Sequence, residues 1–208
     1  MPHDRPFAPQ DLRPKPTRSR PLRIATAAGA LWLGLILGWS GFLTAHQFRP
    51  GNASTLQHAW PPGSRLHPRP DALTAVLFAH PECPCFSATL TETERLQTLL
   101  REPLQLFVVF ETDPAFDLFA SRHFRRVSAW KNATIVHEAD NREVALFGAQ
   151  TSGQVLIFDK DRRLLFSGGI TGSRAHEGDN PNLERAVAAA RSRAPKVVLT
   201  PVYGCSLR

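Results

Sequence analysis

The 208-residue chain lacks the motifs of several large functional classes. It has neither a glycine-rich phosphate loop nor a convincing Ser-His-Asp set, so the sequence implies no organic cofactor and no triad hydrolysis. Basic and aromatic residues are not interleaved, so nothing supports nucleic-acid binding. Internal repeats are absent. Cysteine is scarce: the chain has three, and two of them lie in the tripeptide Cys83-Pro84-Cys85.

The net charge of +7 is unevenly distributed. Residues 1–23 carry six basic and two acidic residues among several prolines, which accounts for +4 of the total. Such a composition is typical of a disordered basic segment that also sets membrane topology. We expect residues 1–23 to be a cytoplasmic segment.

An uncharged apolar run follows at residues 24–44, and its 21 residues are long enough to cross a bilayer as a helix. Arg18, Arg20 and Arg23 precede it, so the positive-inside rule exports the remainder of the chain. We predict a transmembrane anchor at residues 24–46. A cleaved signal peptide is the alternative, although its apolar region is usually shorter.

Residues 47–70 are rich in proline and glycine and predict a linker, and residues 71–208 predict a domain. Apolar runs alternate with helical patterns in that domain, which indicates an α/β fold: a mixed sheet flanked by helices. The predicted strands are 72–79, 104–111 and a hairpin of 154–158 with 163–167, and the predicted helices are 84–101, 113–123, 138–147 and 182–193.

The Cys-Pro-Cys unit lies where the first strand passes into the first helix of this domain. Cysteine at a helix N-terminus tends toward the reactive thiolate. With Cys83 as the N-cap and Pro84 as the first helical residue, Cys85 falls in the first turn. Side chains two residues apart on a helix do not face each other, so a Cys83–Cys85 disulfide would be strained and easily reduced.

Cys205 is the third candidate and lies after the last predicted helix. It resolves a mixed disulfide if the C-terminus folds back over the motif. A buried inert cysteine and a permanent structural disulfide are equally open. A second interpretation is a copper(I) or zinc site, in which the three sulfurs are joined by His80 or His176.

Several polar residues near the motif are weaker candidates. His80 can stabilise a thiolate or carry a proton, whereas Glu82 opposes thiolate formation by its like charge. The polar stretch 171–180 follows the predicted hairpin, where Arg174 and His176 can supply positive charge. The competing interpretation is a long turn that ends in a helix cap at Asn180.

The order of elements, with paired cysteines at the first strand-to-helix turn, resembles the thioredoxin fold over residues 71–195. Stretches 80–85, 165–174, 176–180 and 202–206 are similar to the RedB-type group of membrane-anchored bacterial thioredoxin-like proteins. The resemblance implies a single-pass protein of the bacterial inner membrane, with its C-terminal domain in the periplasm or outside the cell. Two features depart from the thioredoxin pattern: one residue separates the cysteines instead of two, and no proline lies near Ser152-Gly153.

The sequence therefore predicts an exported thiol-disulfide oxidoreductase whose partners are protein thiols or disulfides. We expect Cys83 to be the more exposed nucleophile, Cys85 to resolve the intermediate or hold the resting disulfide, and Cys205 to take over that step. No metal or organic cofactor is expected under this hypothesis. The alternatives are a copper(I)- or zinc-binding metallochaperone and a non-catalytic thioredoxin-like binding domain.

Overall fold

The computed structural model describes residues 20–52, 54–192 and 196–207, and the chain divides into two compact units. The first unit, Met1–Thr44, contains most of helix α1, Arg20–Gln47. Within the described residues, α1 is the one helix long and apolar enough to cross a membrane, and its apolar side chains are exposed. A signal sequence shares that length and composition. The first 19 residues of the basic segment lie outside the described residues.

The second unit, Ala45–Arg208, is built on a six-stranded mixed sheet. The strand order is β3-β2-β1-β4-β5-β6, with β1 parallel to β2 and antiparallel to β4. β3 pairs parallel with β2, β5 antiparallel with β4, and β6 parallel with β5. The strands are β1 Leu73–Ala79, β2 Leu104–Glu111, β3 Ala133–Glu138, β4 Gln154–Phe158, β5 Leu164–Gly169 and β6 Val198–Leu199.

Helices cover both faces of the sheet, as the alternation of strand and helix patterns predicts. They are α2 Phe86–Leu99, α3 Arg122–Val127, α4 Arg142–Leu146 and α5 Pro181–Ser192, with a short 3-10 helix at Leu118–Ala120. α2 and α5 pack on one face through an apolar core that includes Phe86, Leu90 and Leu183. α4 and the segment around Leu66 cover the other face.

The predicted helix at 113–123 is wrong. Asp113 and Asp117 each accept a hydrogen bond from the backbone amide two residues later, at 3.1 and 3.0 Å, and these local bonds compete with a helix. α3 begins only at Arg122, after Ser121, whose hydroxyl accepts from the His123 amide. The first part of the predicted helix is therefore a turn at residues 113–116 followed by the 3-10 helix that Asp117 caps.

Strand β3 occupies a stretch in which the sequence predicts no strand, and the helix predicted at 138–147 is shorter as α4. β3 is the edge strand and most of its residues are only partly buried, so it lacks the apolar run of a central strand. β6 has only two residues, too few for a periodic pattern. The hairpin of β4 and β5 is confirmed. The short strand β6 lies beyond β5 and forms the edge of the sheet opposite β3.

The segment predicted as a linker, residues 47–70, packs against the domain along much of its length. Trp60 contacts the rings of Phe147 and Phe158 at centroid distances of 5.1 and 5.0 Å, and Leu66 is buried. The Thr55 amide also donates to the Gly148 carbonyl at 3.1 Å. These apolar residues cover the sheet face that α4 is too short to close.

Candidate functional site

Two consecutive turns carry the Cys83-Pro84-Cys85 motif from β1 into α2. The Cys83 amide donates to the His80 carbonyl at 3.0 Å, and the Phe86 amide donates to the Cys83 carbonyl at 3.1 Å. α2 therefore begins at Phe86 with Cys85 as its N-cap residue, in right-handed helical geometry. The predicted cap at Cys83 is two residues too early, because the motif forms turns instead of the first helical turn.

The two cysteines of the motif differ in exposure. Cys83 is only 1% exposed and belongs to the apolar core with Phe86, whereas Cys85 is half-buried at the surface of that core. The expectation that Cys83 is the more exposed thiol is therefore wrong. The turn from His80 to Cys83 places the first sulfur among core side chains and leaves the outer position to Cys85.

The C-terminal tail, residues 204–207, brings the third cysteine to the same place. It pairs antiparallel with residues 150–152, which we call the edge loop, immediately before β4. The Ser152 amide donates to the Cys205 carbonyl at 2.8 Å, and the Leu207 amide donates to the Gln150 carbonyl at 2.9 Å. The Cys205 thiol is half-buried and packs against the apolar core that contains Cys83, and Cys83 lies near enough to raise its pKa. All three cysteines thus form one cluster of free thiols.

Burial and mutual repulsion favour the protonated form of the two outer thiols. Burial is the largest cause of the raised pKa of Cys85; Cys83 raises it further, and the Arg174 guanidinium lowers it. Burial likewise raises the pKa of Cys205 to about 12, with Cys83 and then Cys85 adding to the rise. Neighbouring sulfurs disfavour one another's negative charge. The thiolate expected at a helix N-terminus is therefore disfavoured at Cys85, as it is at Cys205.

Arg174 is the cation beside this cluster. Its Nη1 donates to the Gly204 carbonyl at 2.7 Å, and its charge opposes the rise in the pKa values of Cys85 and Cys205. Of the two cationic candidates in stretch 171–180, only Arg174 reaches the thiols. His176 is exposed, and its Nε2 lies 3.5 Å from the Asp179 carbonyl.

The loop that carries Arg174 is held against α2 by Glu92. The Glu92 carboxylate is completely buried, accepts from the Gly178 amide at 2.7 Å and pairs with Arg95 at 3.0 Å. Arg95 also contacts Asp179 at 2.6 Å. At the far end of the loop, Asn180 caps α5 by accepting from the amides of the second and third helical residues, as the sequence suggests.

Two predicted candidates, His80 and Glu82, take part in the local turn. His80 Nδ1 accepts from the Glu82 amide at 3.3 Å, and the His80 amide donates to the Ser152 hydroxyl at 3.0 Å. The second bond ties the edge loop to the cysteine turn. The Glu82 side chain is exposed.

His123 is a site residue that sequence reasoning misses. Its Nε2 lies 3.1 Å from the Cys83 carbonyl, and its ring packs edge-on against Phe86. Burial, assisted by the charge of Arg122, lowers the pKa of His123, so the ring is neutral at pH 7. Its Nε2–H can then donate to Cys83 and fix the turn. His123 lies 40 residues from Cys83 in sequence, and no motif connects the two.

The structure does not assemble the predicted set of three sulfurs with His80 or His176 into a metal site. Within residues 20–52, 54–192 and 196–207, no three Cys, His, Asp or Glu side chains are arranged to hold a metal ion. The ring of His80 closes the cysteine turn and that of His176 faces its own loop.

Neither a protein-family model nor a curated protein sequence matches the chain. Among solved structures, the hypothetical protein SMc02350 of Sinorhizobium meliloti 1021 is similar, with 17% identity, a TM-score of 0.54, and coverage of 76% of this chain and 96% of that one. A secreted Mycobacterium tuberculosis disulfide oxidoreductase homologous to Escherichia coli DsbE has 13% identity, a TM-score of 0.41 and coverage of 59% and 82%. Copper-bound ScoI of Arabidopsis thaliana has 8% identity, a TM-score of 0.43 and coverage of 59% and 85%.

At 17% identity, the likeness to the Sinorhizobium meliloti protein concerns the fold alone. The strand order, with a central β1 parallel to β2 and antiparallel to β4 and with helices on both faces, agrees with the predicted architecture. The C-terminal unit of this chain therefore has a thioredoxin-like fold.

Proposed function

We propose that the protein is a membrane-anchored, exported thiol-disulfide oxidoreductase of the RedB-type group, acting on protein thiols or disulfides. The observation that carries this proposal is the convergence of Cys83, Cys85 and Cys205 beside Arg174 at the start of α2. Three neighbouring thiols, of which Cys83 is buried and the other two are partly exposed, offer a route for sulfur exchange. The apolar helix α1 supports the anchor, and export supplies an environment in which disulfides persist.

Cys85 makes the first attack because it is the accessible sulfur of the motif. Its thiolate attacks one sulfur of a partner disulfide, forms a mixed disulfide and releases the other partner sulfur as a thiolate. The Arg174 guanidinium stabilises the attacking charge, since it lowers the pKa of Cys85. This role for Cys85 replaces the one that the sequence assigns to Cys83.

Cys83 then resolves the mixed disulfide. Its thiolate attacks the Cys85 sulfur, the bond to the partner breaks, and the second partner thiol leaves with the proton it takes up from solvent. The resulting Cys83–Cys85 bond joins residues two apart at a helix start and is strained. The partner has gained two electrons, and the motif has lost them.

Cys205 relieves that strain. Cys205 lies near enough to Cys83 for each sulfur to affect the other, so in the proposed relay its thiolate attacks Cys83 and releases Cys85 as a thiolate. The oxidised resting state is then a Cys83–Cys205 disulfide with Cys85 free. An exported dithiol protein or the membrane dithiol machinery returns the two electrons through Cys85.

Mass spectrometry of alkylated protein tests this function on the full chain in detergent. The reduced protein is incubated with insulin as a disulfide substrate, alkylated and digested. We expect Cys83 and Cys205 in one cross-linked peptide pair and an alkylated Cys85. Cys205→Ser should instead accumulate the Cys83–Cys85 bond or the mixed disulfide, whereas Ser206→Ala, which keeps all three sulfurs, should behave as wild type.

Two outcomes would overturn the proposal. Three thiols that stay reduced in the presence of the disulfide substrate would exclude exchange at this cluster. Stoichiometric copper or zinc in the purified full chain, lost on Cys83→Ser, would favour the metallochaperone alternative. Bound metal is therefore measured on the same preparation.

A further inference from the structure

The last residue of helix α1 contacts the loop beside the cysteine cluster. The apolar run predicted to cross the membrane ends at Thr44, and α1 continues without a break for three more residues to Gln47, which belongs to the second unit. At the rise of an α-helix, Gln47 lies about 5 Å beyond the end of that run. Its carbonyl accepts a hydrogen bond from the Arg174 amide at 3.1 Å. The residue whose guanidinium lies beside Cys85 is therefore tied to the chain close to the end of the apolar run.

Three loops around the cysteine cluster lie at one edge of the sheet. β1, β2 and β5 run in the same direction, because β1 is parallel to β2 and β4 is antiparallel to both β1 and β5. The cysteine turn follows β1, residues 112–121, which we call the aromatic loop, follow β2, and the loop that carries Arg174 follows β5. In the strand order, β1 lies between β2 and β5, so the cysteine turn lies between the other two loops.

The aromatic loop exposes a large apolar side chain at this edge. Among the residues that the structure describes, Phe119 is the most exposed large apolar side chain at 74%, ahead of every one in α1. Its ring packs against Phe124 at a centroid distance of 5.0 Å. The Ser121 hydroxyl donates to the Pro81 carbonyl at 3.1 Å and so fixes the loop to the cysteine turn. Phe119 is thus held outward beside the motif instead of folding into the core.

Two arginines after Phe119 suit the phosphate level of a membrane. Arg122 and Arg125 are exposed, and neither makes an ion pair with another described residue. The acidic residues of the loop, Asp113 and Asp117, accept hydrogen bonds from backbone amides within it at 3.1 and 3.0 Å. An aromatic ring with basic neighbours is typical of chain segments that lie at a bilayer interface, with the ring at the acyl boundary and the cations near the headgroups.

We propose that the aromatic loop is a second membrane contact: Phe119 inserts at the boundary between headgroups and acyl chains, and Arg122 and Arg125 bind phospholipid phosphates. This inference rests on the membrane anchor of the proposed function, and it does not depend on thiol-disulfide exchange. The anchor fixes one side of the cysteine turn through Arg174, and Phe119 fixes the other. The edge that carries Cys85 therefore lies along the membrane surface.

Photocrosslinking to lipid tests this contact on the full chain in nanodiscs of phosphatidylethanolamine and phosphatidylglycerol. Benzoylphenylalanine replaces Phe119 or its exposed neighbour Ala120 in two separate variants, and intact mass spectrometry after irradiation measures the fraction of chains with an attached phospholipid. The matched control carries the same amino acid in place of Leu99, an exposed apolar residue at the end of α2. Since α2 has 14 residues and is about 21 Å long, Leu99 lies far from the cysteine turn.

We expect the fraction with attached lipid to be at least about fivefold higher with the label at residue 119 or 120 than at residue 99, because transfer of a phenyl ring out of water strongly favours the inserted position. With the label at residue 120, Phe119→Ser should lower this fraction at least about threefold, and Arg122→Gln combined with Arg125→Gln at least about twofold. Ser128→Ala is the matched neutral change, because the Ser128 hydroxyl donates only to the Phe124 carbonyl within the same segment. It should leave the fraction unchanged.

Extraction with alkaline carbonate separates this inference from the anchor on which it rests. If carbonate releases the full chain from the membranes in which it is expressed, the anchor of the proposed function fails and the second contact fails with it. If the chain is retained but labels at residues 119 and 120 attach lipid no more often than the label at residue 99, the second contact alone is overturned. Cross-linking of residue 119 to a second copy of the chain in place of lipid also overturns it, because the aromatic loop would then be a protein interface.

Discussion

Cys205 should be one of the least reactive thiols of the folded, reduced protein, although it is not fully buried. Burial and the neighbouring sulfurs raise its pKa from an ordinary value of 9.0 to about 12. Near pH 8 its thiolate fraction is then about 10⁻⁴, against about 10⁻¹ for the same cysteine in the unfolded chain. Only the thiolate attacks iodoacetamide, which gives a difference of about a thousandfold in the population of the reactive form.

A more basic thiolate is also a better nucleophile, which offsets part of that difference. With a Brønsted coefficient of about 0.4–0.5, three pKa units increase the reactivity of each thiolate about twentyfold to thirtyfold. The expected net effect is alkylation of Cys205 about fiftyfold slower in the folded chain than in urea. Cys83→Ala removes the contribution of Cys83 to the raised pKa of Cys205 but leaves the larger contribution of burial, so it should restore the rate only in part.

The assay is timed alkylation of the reduced full chain, followed by quenching, digestion and mass spectrometry of the Cys205 peptide. The chain unfolded in urea is the reference, and Ser206→Ala is the control for a change in the tail that keeps all three sulfurs. Alkylation of Cys205 in the folded protein at the unfolded rate, with Cys83 still protected, would refute the docking of the tail on which the cluster depends.

Three further outcomes follow from neighbouring contacts. Burial lowers the pKa of His123, so the unfolded chain takes up that proton first and stability falls as the pH drops below about 6.5; urea unfolding should lose this part of the slope in His123→Gln. Glu92→Ala removes the buried acceptor of the Gly178 amide and of a neighbouring arginine, and should lower the free energy of unfolding by about 3 kcal/mol in chemical denaturation. Arg174→Met should slow the alkylation of Cys85 near pH 8, because the guanidinium lowers that pKa, and an unchanged rate would remove Arg174 from the site.

The central strands were predictable because both faces of each are buried. β2 and β4 match their predicted bounds, and β1 differs by one residue. Continuous apolar runs such as Phe107–Phe110 are typical of strands buried on both faces of a sheet. β3 escaped prediction because an edge strand with one solvent-facing side carries a weaker pattern. The helix predicted at 113–123 is the opposite case, in which a predicted element does not form. Asp113 and Asp117 instead accept hydrogen bonds from backbone amides two residues later, and these local bonds compete with helix formation.

The sequence identifies most of the residues of the site, but it does not predict how they are arranged. The motif at the start of α2 could be located from Cys83 and Cys85 alone, but which sulfur faces outward depends on a turn that no periodicity encodes. Cys205 reaches the cluster through backbone pairing with the edge loop, and backbone pairing of a four-residue tail leaves almost no trace in side-chain pattern. Arg174 was a candidate by charge, whereas His123 had no sequence signal at all.

The burial of Cys83 is what a relay of three sulfurs requires. The middle sulfur must be open to attack by both neighbours and closed to outside thiols. Cys83 is 1% exposed, and it raises the pKa of both Cys85 and Cys205. Every exchange with a partner at the motif then passes through Cys85, in both directions, and the Cys83 end of the proposed Cys83–Cys205 bond is closed to outside thiols. An adjacent Cys-Pro-Cys pair with an exposed first sulfur would have neither property, because its strained bond would itself face solvent. The Cys-Pro-Cys spacing is poor for a stable disulfide. In the proposed relay the C-terminal tail compensates for this, because Cys205 replaces the strained Cys83–Cys85 bond with a Cys83–Cys205 bond.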